Sequence, residues 1–322
     1  MAQITFQGQT YRLHDGEPVL QGLARCGATI PSNCRAGICQ SCTLRALAGQ
    51  VPAEAQAGLS PAQRDRGEFL ACVCIPFEDL EVALPDSVST RVVARVIEKS
   101  PLAERVMRLR LQVQTAYPYR AGQFLNLYGP DGLQRSYSIA SVPTVESQLE
   151  LHIARVPQGR MSGWVYQNLR QNDELTISPA LGECYYRAES PDQALLLIGT
   201  GTGLAPLYGV LRDALRQGHR GEIYLYHGSS TPQGLYLEET LHQLAAHHAN
   251  FHYFPCVSQG SASAQYAHGR ADALALQTLT NLRGMRVYLC GHPAMVRSAQ
   301  RAVFLGGASM TDIVADAFLS PS

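Results

Sequence analysis

The sequence carries no net charge, since 26 lysine and arginine side chains stand against 26 aspartates and glutamates. Without a basic field to hold a polyanion, nucleic acid is not an expected partner. Long apolar runs are also missing. The best, ALLLIG at residues 194–199, falls far short of the roughly 18 residues that cross a bilayer, so no membrane span is expected. The opening stretch MAQITFQGQTYRLHDG lacks the charged-then-apolar layout of a signal peptide, which gives a cytoplasmic expectation. There is no internal repeat and no low-complexity tract. At 322 residues the chain has room for two or three domains, each with its own core.

Cysteine, by contrast, is plentiful, with nine residues. Disulfides do not persist in a reducing compartment, so clustered thiols there serve metals or redox chemistry, and the odd number argues further against a disulfide framework. Cys34, Cys39 and Cys42 are spaced C-x4-C-x2-C, and Cys72 follows after a gap of 29 residues. That is the plant-type [2Fe-2S] spacing, in which three thiolates of one tight loop and one from a distant strand surround two irons. Zinc favours paired knuckles, and a single C-x2-C pair is present. The small residues Ala36, Gly37 and Ser41 let the loop backbone approach a cluster and aim N–H groups at it. Cys26 and Cys74 fall outside the spacing and read as packing cysteines. Residues 1–88 resemble a plant-type ferredoxin domain, which implies a β-grasp fold. Gln40 stands where such domains carry something smaller.

After a turn-rich linker near 85–90, RVMRLRLQV alternates Met107, Leu109, Leu111 and Val113 with Arg108, Arg110 and Gln112, the pattern of a half-buried antiparallel strand. GQFLNLYG, RSYSIAS and QLELHIARV continue it, so residues 89–188 read as an antiparallel β-barrel with a short helix around MSGWVYQNL. From ALLLIG onward strands alternate with helices. EIYLYH, FHYFPCV and RVYLC are compact strands, and YLEETLHQLAAHHA places Leu237, Leu241, Leu244 and Ala245 on one helical face. Residues 189–322 therefore read as a parallel α/β domain. The fold class expected for the whole is multidomain, α+β with α/β.

Two further stretches suit phosphates. GRMSGW, residues 159–164, joins a glycine turn to a helix start, whose N–H groups favour an anion. LLLIGTGTGLAPLYGVLRDAL is a strand, a glycine-rich turn and a helix, where Gly199, Gly201 and Gly203 keep side chains clear of a pyrophosphate. It is not a true G-x-G-x-x-G, since Leu204 breaks the pattern. YLCGHP ends another strand with Cys290 and Gly291, and ligands of parallel sheets bind beyond the carboxyl ends of strands.

Barrel first, phosphate-binding helix second and α/β domain third is an order that resembles the ferredoxin-NADP reductase superfamily, across residues 89–322. The resemblance implies an FAD site in which Arg135 meets the pyrophosphate, Tyr137 stacks on the isoalloxazine and Ser138 bonds near flavin N5, with Ser136 beside them. His152, Ile153 and Arg155 would line the flavin edge, and Gly159, Met161 and Ser162 the phosphates. It also implies an NAD(P) site at Gly199, Thr200, Gly201, Thr202, Gly203 and Ser229, with Cys290, Gly291 and Pro293 at the nicotinamide and Phe318 against the flavin. Ser138 and Cys290 are the candidate catalytic residues. For the coenzyme, an acid on the ribose or an arginine on a 2′-phosphate is expected roughly 20 residues past the glycines. YHGSSTPQGLY, residues 226–236, offers neither, with Ser229 and Tyr236 as candidate phosphate contacts, so the missing cation favours NADH over NADPH.

Ferredoxin-first fusions of this order resemble the reductase components of bacterial aromatic-ring dioxygenases. The implied activity is an NAD(P)H:acceptor reductase that passes electrons through FAD and the cluster to an acceptor protein, an oxygenase component or a ferredoxin. Alternatives are a reductase partner of a deoxyhexose dehydrase, or a redox-sensing module with little turnover.

Overall fold

The computed structural model describes residues 2–28, 30, 32, 35–37, 40–59, 61–85, 91–260 and 265–318. They form two compact units divided between Arg91 and Val92. The expected linker residues 86–90 lie outside the described residues.

The first unit opens with a hairpin of β1 (Gln3–Phe6) and β2 (Gln9–Arg12). Its two-residue turn, Gln7 and Gly8, takes positive φ at both positions (53° and 77°), which matches the twist of the flanking strands. Helix α1 (Val19–Arg25) follows, then β3 (Thr43–Ala48), α2 (Pro61–Asp65), β4 (Glu68–Leu70) and β5 (Leu80–Ala83). The sheet order is β2-β1-β5-β3-β4, with β1 and β5 parallel and the other pairs antiparallel. Alternation in β1 sends Ile4 and Phe6 inward, where they pack with Leu13, Leu23, Leu44 and Phe69. Each such side chain contributes about 1.5–3 kcal/mol when fully buried.

The second unit begins with β6 (Val92–Ala103), β7 (Val106–Val113), β8 (Phe124–Tyr128), β9 (Gln134–Ser138) and β10 (Leu149–Ala154), then α3 (Arg160–Gln167) and β11 (Glu174–Ile177). These strands make one antiparallel sheet in the order β10-β7-β6-β11-β8-β9. A bridge between Ile139 and Leu151 joins its two edges, which closes the sheet into a barrel and removes its free edges. Leu109 and Leu111 of β7 are fully buried, as the alternation requires.

Seven further segments build the α/β part after β12 (Leu195–Thr200) and α4 (Leu204–Arg216): β13 (Ile223–Ser229), α5 (Glu238–His247), β14 (Phe251–Val257), β15 (Ala267–His268), α6 (Ala271–Thr278), β16 (Arg286–Gly291) and α7 (Pro293–Leu305). The chain then closes on β17 (Ile313–Ala317). All pairs are parallel, in the order β15-β14-β13-β12-β16-β17. The chain leaves β12 for β13 on one side and later returns to β16 on the other. A switch of this kind opens a crevice at the carboxyl ends of the two strands.

Helix α4 joins the two halves of this unit. It buries Leu207, Val210, Leu211 and Ala214, one helical stripe, toward the sheet. Gly209 faces the barrel backbone: a Cβ there would stand 2.9 Å from the Gly122 amide and 3.1 Å from the Ile139 carbonyl oxygen. Among the described residues no helix is long and apolar enough to cross a membrane.

Candidate functional site

The gap between Cys42 and Cys72 is closed by strand pairing. Thr43 of β3 lies opposite Leu70 of β4, and the Ala71 amide donates to the Cys42 carbonyl at 3.2 Å, so the two cysteines flank one ladder. Both are buried, and the Gly37 amide donates to the Cys72 sulfur at 3.2 Å. A sulfur that accepts a backbone N–H suits a thiolate ligand, whose negative charge such donors stabilise. Arg35, Gly37 and Gln40 all take positive φ. Gln40 braces it, donating to the Gly58 carbonyl at 2.9 Å and accepting from Gln63 at 3.2 Å. Its bulk is thus used across the loop. Cys34 and Cys39 lie outside the described residues. Cys74 is buried, and burial pushes its thiol up to about 12, as fits a packing cysteine. Cys26 is exposed and does not pack; it ends α1 on its solvent side.

At the barrel, β9 carries Arg135, Ser136, Tyr137 and Ser138. The Ser136 hydroxyl donates to Asn126 at 2.7 Å, which takes this residue into the sheet's own bonding. Tyr137 is half-buried, with burial raising its phenol above the usual range, and Ser138 is buried opposite Phe124. The loop into α3 is shaped around Gly159, where a Cβ would stand 2.7 Å from the Ser162 hydroxyl and 2.8 Å from Val156. That hydroxyl accepts from the Val156 amide at 3.1 Å, so Ser162 shapes the loop from within while Met161 packs into the barrel core. Before them lies a cavity of about 690 Å³ bordered by Arg105, Arg155, Gly159, Arg160, Leu133 and Trp164. Three guanidiniums and a helix start beside one apolar wall fit the diphosphate and ring of a dinucleotide. Arg105 escaped the sequence reading because it belongs to no recognisable motif, and Arg160 because GRMSGW points to its backbone amides. Trp164 packs on the barrel core with one side and borders the cavity with the other.

His152 and Ile153 lie on β10 and are buried. Both imidazole nitrogens are taken, Nε2 by Glu150 at 2.9 Å and Nδ1 by the Tyr236 hydroxyl at 3.1 Å. The ring therefore sits in the seam between the barrel and the α/β part and not at an open edge. Tyr236, expected as a phosphate contact, is likewise only 2% exposed. A sequence signal for this existed: Glu150 and His152 share one face of a strand whose other residues, Leu149, Leu151, Ile153 and Ala154, are apolar.

The glycine turn sits at the switch point. Gly199 pairs with Cys290 across β12 and β16, and a Cβ on Gly203 would meet the Cys290 carbonyl oxygen at 2.2 Å. Gly291, at φ +122°, lies so close to Thr200 that a Cβ would be 2.6 Å from its carbonyl oxygen. The His292 amide donates to the Thr200 hydroxyl at 3.0 Å, which ties the two strand ends together. Thr202 lies in the turn, and Pro293 opens α7, where its missing N–H is harmless. Ser229 ends β13 with its hydroxyl against Gly234. The Phe318 amide donates to the Gly291 carbonyl at 2.8 Å, so this half-buried ring follows directly on the crevice. Cys290 is fully buried with its sulfur 3.6 Å from that of Cys184. Burial, then the Cys184 thiol, pushes its pKa well up, and a protonated thiol is neither base nor nucleophile. A cradle of backbone this tight fits a dinucleotide pyrophosphate.

Family models agree with these three arrangements. The 2Fe-2S iron-sulfur cluster binding domain matches residues 3–77, the oxidoreductase FAD-binding domain residues 93–186 and the oxidoreductase NAD-binding domain residues 197–301. The reductase subunit of an aromatic O-demethylase from Amycolatopsis sp. is 30% identical over 311 residues, covering 93% of each chain. The chain belongs to the ferredoxin-NAD(P)H reductase superfamily. Within it, this reductase carries the iron-sulfur, FAD and NAD domains on one chain. It is also 30% identical over 310 residues, 94% of each chain, to the ferredoxin--NAD(P)(+) reductase component of a naphthalene 1,2-dioxygenase system from Pseudomonas putida. The crystal structure of Amycolatopsis cytochrome P450 reductase GcoB superimposes with a TM-score of 0.73 at 29% identity, over 100% of both chains. The β-grasp, barrel and parallel α/β architecture expected from the sequence is the one observed.

Proposed function

We propose that this oxidoreductase is a cytoplasmic, NADH-dependent reductase that passes electrons through FAD and a [2Fe-2S] cluster to a separate acceptor protein, a multicomponent oxygenase or its ferredoxin. The observation that carries this is the docking of α4. The helix starts at the glycine turn and lays Gly209 against Ala121, Gly122 and Ile139, one residue beyond Ser138. Dinucleotide turn and flavin strand are thereby held by one rigid element. We take the domains as 1–88, 89–188 and 189–322.

When bound, NADH supplies a hydride, FAD takes two electrons and gives them up singly, and the cluster carries one at a time. The protein's residues bind, orient and exclude water. Arg135, Arg155 and the amides of the Gly159–Ser162 turn hold the FAD phosphates, and Tyr137 covers the ring system. Ser138 directs its hydroxyl at N5, while Ile153 and His152 back the site from β10. Gly199, Thr200, Gly201, Thr202 and Gly203 hold the coenzyme pyrophosphate, with Ser229 beyond them. Cys290, Gly291 and Pro293 bound the nicotinamide, Cys290 through its shape, and Phe318 closes the far side. Cys34, Cys39, Cys42 and Cys72 hold the cluster. The absence of any Lys or Arg from residues 226–237 leaves no cation there for a 2′-phosphate, which supports NADH.

Purified holoprotein should contain flavin and iron and reduce cytochrome c, with kcat/KM for NADH about tenfold above that for NADPH. No turnover from fully loaded protein would favour a sensor. A tenfold NADPH preference would overturn the coenzyme assignment alone.

A further inference from the structure

Tyr236 stands between two buried histidines from different parts of the second unit. Its hydroxyl meets His152 Nδ1 at 3.1 Å, and its ring is edge-on to both imidazoles, with centroids 5.3 Å from His152 and 5.5 Å from His227. His152 belongs to barrel strand β10 and is fixed from behind by Glu150, which accepts in turn from Arg110 at 2.9 Å. His227 belongs to β13, in register with Gly199; its Nδ1 lies 3.4 Å from the Tyr253 hydroxyl, and β13 packs against the glycine turn. Strand β10 itself touches that turn. His152 and His227 have fully buried rings, and Tyr236 is 2% exposed.

Arg110 and His152 hold the Glu150 carboxyl well below its usual range despite burial, so it is an acceptor. His152 must then carry its proton on Nε2 and accept the Tyr236 O–H at Nδ1. Every polar atom from Arg110 to Tyr236 thus has one assignment, and a slip of β10 against the 230–236 loop would leave buried atoms unpaired. Apolar packing would fill the same space without fixing that register.

From this we infer that Tyr236 is a positioning residue: by clasping His152 and abutting His227, it sets the glycine turn, and with it the coenzyme, at a fixed distance from the flavin strand. The inference rests on the reductase reading above. Wild-type flavin reduction by NADH tests that reading by itself, so the two can fail separately.

The test uses full-length, FAD-loaded Tyr236→Phe, which removes only the hydroxyl, and Tyr236→Leu, which removes the ring. Stopped-flow flavin reduction at saturating NADH would be measured with the temperature dependence of the primary deuterium isotope effect. A loosened donor–acceptor distance steepens that dependence, whereas a merely structural defect does not. For Y236F the expected results are a limiting rate about fivefold to tenfold lower, a steeper isotope effect and unchanged FAD content, with a melting temperature lowered by a few degrees because His152 Nδ1 loses its donor. Y236L should be slower still. A wild-type rate and isotope effect in Y236F would overturn the inference, as would a slower rate that tracks only lost FAD or comes without the steeper isotope effect.

Discussion

The amide of Gly37 donates to the sulfur of Cys72 across 3.2 Å, although 35 positions separate them in the chain. Gly37 reaches this position at φ +73°, with Val73 methyl carbons 3.3 and 3.4 Å from where a side chain would begin. Cys72→Ser should therefore abolish the cluster, seen as loss of the low-temperature paramagnetic resonance of dithionite-reduced protein. NADH-driven ferricyanide reduction at the flavin should stay within about twofold, because the cluster cysteines and the flavin strand belong to separate compact units. Loss of both activities would mean that the first unit supports the second.

Two glycines of one turn should respond differently to alanine. At Gly203 a Cβ would meet the β16 backbone, 2.2 Å from the Cys290 oxygen and 2.8 Å from the Gly291 Cα, and backbone cannot rotate aside. At Gly201 nothing lies within 4 Å, and the cost is the positive φ of 54° alone. Gly203→Ala should thus lower stability by about 1–3 kcal/mol and abolish NADH binding. Gly201→Ala should cost about 1 kcal/mol. Chemical denaturation and NADH titration would check both, and equal effects would contradict the observed packing.

Much of this was legible because it is local. Thiol spacing, the alternation of β7, and glycines next to the apolar run of β12 each express a constraint within a dozen residues. The thiol spacing suggests Cys72 as a fourth partner, and the structure brings Cys42 and Cys72 to one strand ladder. What escaped depends on docking. Tyr236 looked like a solvent-facing phosphate contact in a polar loop, yet it is paired with a histidine 84 positions away. Cys184 gave no hint of lying beside Cys290, 106 positions on. Ser162 sits in a phosphate-binding pattern, but its hydroxyl bonds its own loop, which leaves the backbone N–H groups for an anion.

Ser138 is 6% exposed and ends the strand that α4 touches one residue later. On the proposal that its hydroxyl meets flavin N5, Ser138→Ala should slow flavin reduction about tenfold or more, as loss of an oriented donor does. NADH affinity should not change, since the glycine turn is untouched. Rapid-mixing traces at saturating NADH would measure the first and titration of oxidised enzyme the second. An unaltered rate would remove the residue from the chemistry.

Acid should weaken the second unit through a buried histidine. Burial holds the His227 imidazole down to about 3 from an ordinary 6.5, with the Gly201 backbone opposing this only in part. Between those values the unfolded chain binds a proton that the folded one refuses. Stability from this group is therefore complete above pH 6.5 and declines as pH falls toward 3, by up to about 1.4 kcal/mol per pH unit. Glu150, whose folded pKa is also depressed, acts in the same direction once pH drops below about 4.5. Melting followed by flavin fluorescence should thus shift downward between pH 7 and 5, while His227→Asn, which cannot take up a proton, should flatten that slope. An equally steep slope in the variant would assign the acid sensitivity to other groups.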